Sequence, residues 1–300
     1  INNGANDGEL KIEQAFIDYK IQDWIIFRGG ALLVPLGRLN VLHDSDYRET
    51  TARPLFNSVI VPTTWTEPGA GFYGTANPND EMEFNYELYM TQGLIEKMVD
   101  GNGLRASRPS LKTDNNAGKA ITTRLGLSPF IGLDFGLGGY YSTFDDKNQK
   151  NLGMVVADFN YKIGPFEILG EGGYTAFSPA DIKDKDGKVT STLTGPMWGY
   201  YLEGHYKFFP EFLKMSFLGD DFEHPSITLF SRIDQVDTDM SKLNANDRTQ
   251  LAFGFNYRPI TNVAFKFEYQ VNLENEAILK SDKSKEIANN QFIASVAAGF

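Results

Sequence analysis

Apolar and polar residues alternate with a period of two through most of this chain. Between 81 and 90, Met82, Phe84, Tyr86, Leu88 and Met90 fall on one face, with Glu81, Glu83, Asn85 and Glu87 on the other. A helix would scatter both sets, so the pattern predicts a strand. Ile131, Leu133, Phe135, Leu137 and Tyr141 likewise oppose Gly132, Asp134, Gly136, Gly138 and Tyr140. Leu251, Phe253, Phe255 and Tyr257 oppose Ala252, Gly254, Asn256 and Arg258. Val263, Phe265, Phe267, Tyr269, Val271 and Leu273 oppose Lys266, Glu268, Gln270 and Asn272. At the carboxy-terminal end, Phe292, Ala294, Val296, Ala298 and Phe300 share a face. The same rhythm, less cleanly, covers 8–21, 24–35, 69–76, 118–127, 151–163, 165–177, 195–208 and 225–236, which predicts about thirteen strands. Many run to about ten residues, enough to cross a bilayer at a tilt, where strands of soluble sheets average about five or six.

The connections alternate in length. Tight turns are expected at Lys162-Ile163-Gly164-Pro165, at 257–262 and at Ser128-Pro129. Long polar loops are expected at 95–117, 143–150, 178–194, 237–247 and 274–287. Short turns at one end and long loops at the other is the asymmetry of an outer-membrane barrel, with the turns periplasmic and the loops extracellular. Trp24, Phe130, Tyr140, Tyr141, Tyr161, Phe166, Trp198, Tyr257 and Tyr269 lie near predicted strand ends, where interfacial belts form; aromatics also simply favour strands. Helical signals are confined to 95–99 and to 210–214 after Pro210.

Composition narrows the classes. The 300 residues include 23 Phe, 14 Tyr, 29 Gly and no Cys. The net charge of -11 argues against nucleic acid as a partner. Mean hydropathy is -0.32, and the longest apolar run is about six residues, Ala31 to Leu36, against the roughly 18 of a membrane helix. An α-helical membrane protein is excluded and a β-barrel is not, because alternating strands average to near neutrality. The chain opens at Ile1 on an Asn- and Gly-rich stretch without an initiator Met or signal peptide, so a processed or truncated form is expected.

If the apolar faces meet lipid, the other faces line an interior that carries many charges of both signs. A dry core would have to pair all of them, so a water-filled lumen is expected. One segment breaks the rhythm: 36–68 has no clear strand period and is long for a passive connection. Folded inward it would narrow the pore, with Arg38, His43, Asp44, Asp46, Arg48, Glu49 and Arg53 setting the field there. Folded outward it would be an extracellular flap. The candidate pore-lining set on the strands is Glu83, Glu87, Arg124, Asp134, Lys162, Glu171, Arg232, Lys266 and Glu268.

No catalytic, cofactor or metal site is expected. His43, His205 and His224 are not at ligand spacing with one another. The run Asp181 to Asp186 resembles a calcium loop loosely but lacks its full spacing and the Glu at the last position. Gly132-Leu133-Asp134-Phe135-Gly136 sits in a strand with no helix after it, so it is not a nucleotide loop.

Glu13 to Lys20, Leu33-Val34-Pro35-Leu36-Gly37 and Ile60 to Gly74 resemble bacterial porins related to the phosphate-selective porin O and P family. The resemblance covers about residues 9–75. It implies an all-β transmembrane antiparallel barrel of about sixteen strands in the complete protein, single-domain and often a homotrimer, passing small hydrophilic solutes. In that family further strands precede the one containing Asp18-Tyr19, so missing amino-terminal strands are expected here. Phosphate selectivity does not carry over, because the inferred lumen is mixed and slightly acidic; general diffusion or some cation preference is expected. The expected partners are outer-membrane lipid and small solutes. A structural barrel that anchors or surrounds another envelope component is the alternative.

Overall fold

The computed structural model describes residues 12–98, 101–109, 118–183, 188–242, 247–274 and 289–299. Phe300, most of the 274–287 loop and Asp184 to Asp186 lie outside the described residues.

Among the described residues, thirteen strands form one antiparallel meander: β1 (Ala15–Gln22), β2 (Ile25–Leu33), β3 (Thr66–Ala76), β4 (Glu83–Thr91), β5 (Ala120–Phe130), β6 (Leu133–Thr143), β7 (Asn151–Ile163), β8 (Phe166–Phe177), β11 (Met197–Phe208), β12 (Ser226–Asp237), β13 (Asp247–Ile260), β14 (Val263–Glu274) and β15 (Gln291–Ala298). Each pairs with its neighbour in chain order, and β1 and β15 are the two edges. A separate hairpin, β9 (Ala180–Lys183) and β10 (Val189–Leu193), lies within the long polar loop expected at 178–194.

The sheet is inverted relative to a water-soluble protein. On β13 and β14 the outward residues are apolar and exposed, as at Phe253 (50% exposed), while the inward residues are polar and buried, as at Lys266 (1%) and Glu268 (0%). Register enforces this. Phe255 pairs with Phe267 and their rings stack at 4.9 Å, while next to them Asn256 pairs with Lys266. Because the side-chain period is two, a slip of one residue would move every charge to the outer face.

The turn expected at Ser128-Pro129 falls later, and the one expected at 257–262 is confined to the last two residues of that range. Ser128 and Pro129 lie within β5, and the turn is Ile131-Gly132. Arg258 and Pro259 lie within β13, and the turn is Thr261-Asn262. In both strands the ladder shifts register at the proline, which donates no hydrogen bond and is tolerated at such irregularities. The alternation of short and long connections otherwise follows expectation, except that 209–225, between β11 and β12, is long at the short-turn end. It begins with a single 3-10 turn, Glu211–Leu213, near the predicted helical signal. No helix forms over the described part of 95–99. Among the described residues no helix is long and apolar enough to cross a membrane.

Candidate functional site

The segment between β2 and β3 lies against the polar face of the sheet. It leaves β2 at Leu33 and turns at Gly37, whose φ of 68° suits a residue without a side chain. A Cβ there would also collide with the Glu171 carboxylate. Two short helices follow, α1 (Arg38–Val41) and α2 (Phe56–Val59), before the chain joins β3.

One half of this segment is apolar. Val34, Leu36, Phe56, Val59, Ile60, Val61 and Trp65 are buried against Tyr140, Leu152, Met154, Val156, Met197 and Tyr201 of β6, β7 and β11. Trp65 packs on Tyr140 at 4.8 Å, and both rings donate to the buried Glu67 carboxylate, at 2.8 and 3.2 Å. Tyr140 therefore belongs to the interior core and not to an aromatic belt. Trp24, Phe130, Tyr141, Phe166 and Tyr269 are exposed as a belt requires.

The other half is polar, and the wall answers its backbone group by group. Irregular backbone in an interior leaves N–H and C=O groups without ladder partners, and each must find one. Glu268 accepts the N–H groups of Thr51 (2.6 Å) and Ala52 (3.0 Å), and Asp234 accepts that of Leu55 (3.0 Å). Glu171 accepts from the Leu39 N–H, from Asn57 Nδ2 (2.9 Å) and from the Tyr201 hydroxyl (3.2 Å). Arg232 donates to the Ala52 carbonyl (3.1 Å) while paired with Asp234 (2.6 Å), Glu203 (3.6 Å) and Glu268 (3.7 Å). Lys266 donates to the carbonyls of Ser45, Arg48 and Thr50. Arg258 donates to Glu49 Oε2 (3.3 Å) and to the Arg48 carbonyl (3.3 Å).

The sequence places Glu171, Arg232, Lys266 and Glu268 on an open, wet lumen; the structure instead engages all four with the interior segment. Of the remaining wall candidates, Arg124 forms a bidentate pair with Asp158 (2.6 and 2.8 Å), Asp134 accepts from Ser128 (2.6 Å), and Lys162 meets Glu167 (3.2 Å). Glu87 is half-buried and accepts from Tyr89 (2.9 Å), whereas Glu83 is exposed. His205 is held between Glu167 (3.1 Å) and Glu203 (2.6 Å).

Space remains beside the segment. A cavity of about 730 Å³ at the short-turn end is lined by Asp44, Asp46 and Glu49 facing Lys207, His224 and Arg258. A smaller one of about 160 Å³ lies between Arg38, Arg48 and Pro54 of the segment and Lys162, Tyr201 and His205 of the wall.

Sequence periodicity misses the residues that hold the segment from outside the strands. Asn40 is fully buried and bridges the segment's two arms, donating to the Val34 and Trp65 carbonyls and accepting the Trp65 N–H. Arg105 and Arg108, from the β4–β5 connection, donate to the Ser58, Pro62 and Thr64 carbonyls. Burial, followed by the fields of Arg105 and Arg53, lowers the Arg108 guanidinium to about 10. Arg53 itself donates to the Thr63 carbonyl (3.1 Å), so three arginines gather on backbone oxygens here. No local pattern marks Asn40; the spacing of Arg105 and Arg108 in the 95–117 loop is the one local signal for the other two.

No family model matches the chain. An uncharacterized protein of Aquifex aeolicus (strain VF5) is 27% identical over 291 residues, 90% of this chain, and the chain spans 63% of that relative's length. Among solved structures, the outer membrane channel DcaP of Acinetobacter baumannii aligns with a TM-score of 0.47 at 12% identity, covering 82% of this chain and 65% of DcaP. A refined porin structure aligns at 0.46 and 12% identity, covering 96% and 81%. An anion-selective porin from Comamonas acidovorans aligns at 0.48 and 12% identity, covering 86% and 66%. These TM-scores below 0.5 are too distant to bring those proteins' functions to this chain.

Proposed function

We propose that this protein is a porin-like channel of the bacterial outer membrane, giving passive passage to small hydrophilic solutes or ions past an interior constriction formed by 36–68. The observation that carries this reading is the inverted sheet: exposed Phe, Leu, Val and Tyr outside, buried Glu, Asp, Arg and Lys inside. Water would reject such an outer face and lipid accepts it. In lipid the β1 and β15 edges must also be paired, to each other or to further strands, since an open ladder has no partners there. A homotrimer completes the proposal at the level of assembly.

The proposed constriction residues are Arg38, His43, Asp44, Asp46, Arg48, Glu49 and Arg53; of these, Asp44, Asp46 and Glu49 line the larger cavity and Arg38, Arg48 and Glu49 the smaller. The strand carboxylates Glu171, Asp234 and Glu268 are engaged as acceptors by N–H groups, a hydroxyl or arginine, whereas Arg53, Arg105 and Arg108 rest on carbonyls. We therefore propose general diffusion with a locally basic stretch beside Arg53, Arg105 and Arg108, where the sequence left general diffusion or some cation preference open. Conductance in planar bilayers tests the channel reading, and ion current at the level of the bare bilayer refutes it.

A second reading keeps a specific observation in its favour. The apolar half of the segment packs so closely on β6, β7 and β11 that Leu36, Phe56, Ile60 and Trp65 have no exposed surface. That suits a barrel which anchors or surrounds another envelope component and conducts little. A stable partner co-purifying with a non-conducting protein would favour it.

A further inference from the structure

The interior segment brings His43 and Asp44 against Glu13, a residue thirty positions earlier and just before β1. We propose that Glu13, His43 and Asp44 form a binding site for a divalent transition-metal cation, which ties the segment to the sheet edge.

His43 is only 6% exposed, and its Nδ1 lies 3.1 Å from the Asn40 carbonyl oxygen. A carbonyl can only accept, so Nδ1 carries a proton and Nε2 is the atom left to bind. The carbonyl is itself immobilised. Asn40 donates from Nδ2 to the Val34 carbonyl (2.7 Å) and accepts the Trp65 N–H (2.8 Å), which fixes the turn that presents the ring. An imidazole oriented from behind by a backbone carbonyl is the usual support of a metal-bound histidine.

The front of the ring faces two carboxylates. Nε2 lies 3.0 Å from Glu13 Oε2 and 3.7 Å from Asp44 Oδ1, and the three ligand atoms lie within 4.8 Å of one another. Bonds of about 2.1 Å separate adjacent ligands by about 3.0 Å in an octahedral site and about 3.4 Å in a tetrahedral one. The Nε2–Glu13 spacing already matches a shared ion, and the exposed Glu13 and Asp44 side chains are the groups that would close around it. Without a cation or an extra proton, a neutral Nε2 lone pair would face two anionic oxygens. Glu13 and Asp44 are exposed, so water can complete the coordination. One imidazole with two carboxylates suits zinc, nickel or manganese; calcium prefers an all-oxygen shell. The Arg53 guanidinium interacts electrostatically with Glu13 and Asp44 and opposes the ion's charge, which moderates affinity.

The test is calorimetric titration of the detergent-purified chain with zinc chloride, repeated with cobalt(II) to read its visible absorption. The expected result is one equivalent bound, with affinity falling about tenfold or more in Glu13→Gln, Asp44→Asn and His43→Ala. The two carboxylate variants alter exposed groups, so they keep the test valid if His43→Ala fails to fold. No binding, or binding unchanged in the carboxylate variants, would leave an ordinary imidazolium–carboxylate pair and overturn the site. Metal binding is read independently of ion conduction, so this outcome does not depend on the channel reading.

Discussion

The carboxylate of Glu268, midway along β14, accepts the backbone N–H groups of Thr51 at 2.6 Å and Ala52 at 3.0 Å. A wall charge thus completes the hydrogen bonding of a segment more than two hundred residues away in sequence. Removing it leaves two N–H groups unpaired and Arg232 short of one carboxylate. Glu268→Ala should cost about 3–5 kcal/mol, the scale for breaking a buried charge pair. Denaturant unfolding in detergent measures that loss, and limited proteolysis should show new cleavage between residues 44 and 57. An unchanged midpoint with an intact segment would mean that Glu268 does not hold it.

Lys266 offers a complementary probe. Its ammonium is received by the carbonyls of Ser45, Arg48 and Thr50 and is otherwise enclosed. Lys266→Met preserves the length of the stem and removes all three bonds. The expected outcome is a noisier channel with larger open steps, because the segment's tip is released from the wall. Identical current traces for the two proteins would contradict that role.

The arginine group predicts ion preference. Arg53, Arg105 and Arg108 sit near one another on backbone oxygens. Replacing Arg105 and Arg108 together by Gln should move the reversal potential in a salt gradient toward cations. The effect should fade at high salt, where the screening length drops to about 3 Å at 1 M. A shift toward anions, or none at low salt, would place the ion path elsewhere.

The β6–β7 connection has a pH window of its own. Burial alone would raise the Asp145 carboxyl, but backbone N–H groups of Lys150, Gln149 and Lys147 outweigh it and hold the group below its ordinary 3.8. The Glu96 carboxylate raises the Lys150 ammonium above its ordinary 10.5. A depressed carboxyl gives stability that is present above 3.8 and lost as pH falls through the folded value. A raised amine gives stability that is present below 10.5 and lost as pH rises through its folded value. Hydrogen exchange of 144–150 should stay constant between those limits after correction for intrinsic rates. Loss of protection near neutral pH would contradict the assignment.

Much of the sheet is legible in the sequence because the period-two signal is local. Phe253, Phe255 and Tyr257 alternate with Ala252, Asn256 and Arg258, and both faces can be read without any neighbour. The turns at Pro129 and Pro259 are displaced because proline reads as a turn residue, yet a bulge lets it stay in the strand. The role of the charged face is harder to read. Arg232 or Glu268 on an inward face reads the same whether it meets water or the backbone of residues 50–55. The distinction lies in a contact across some two hundred residues, and no periodicity encodes it. Asn40 is hidden for the same reason, since its importance comes from bridging Val34 and Trp65. His43 and Glu13 look unrelated in sequence because only the fold of the segment brings them within 3.0 Å.

Single-channel recording of the purified protein in a planar bilayer tests the central claim most directly. Discrete current steps, small in the native protein and larger in Lys266→Met, are the predicted result. Current indistinguishable from the bare bilayer in both proteins would contradict it.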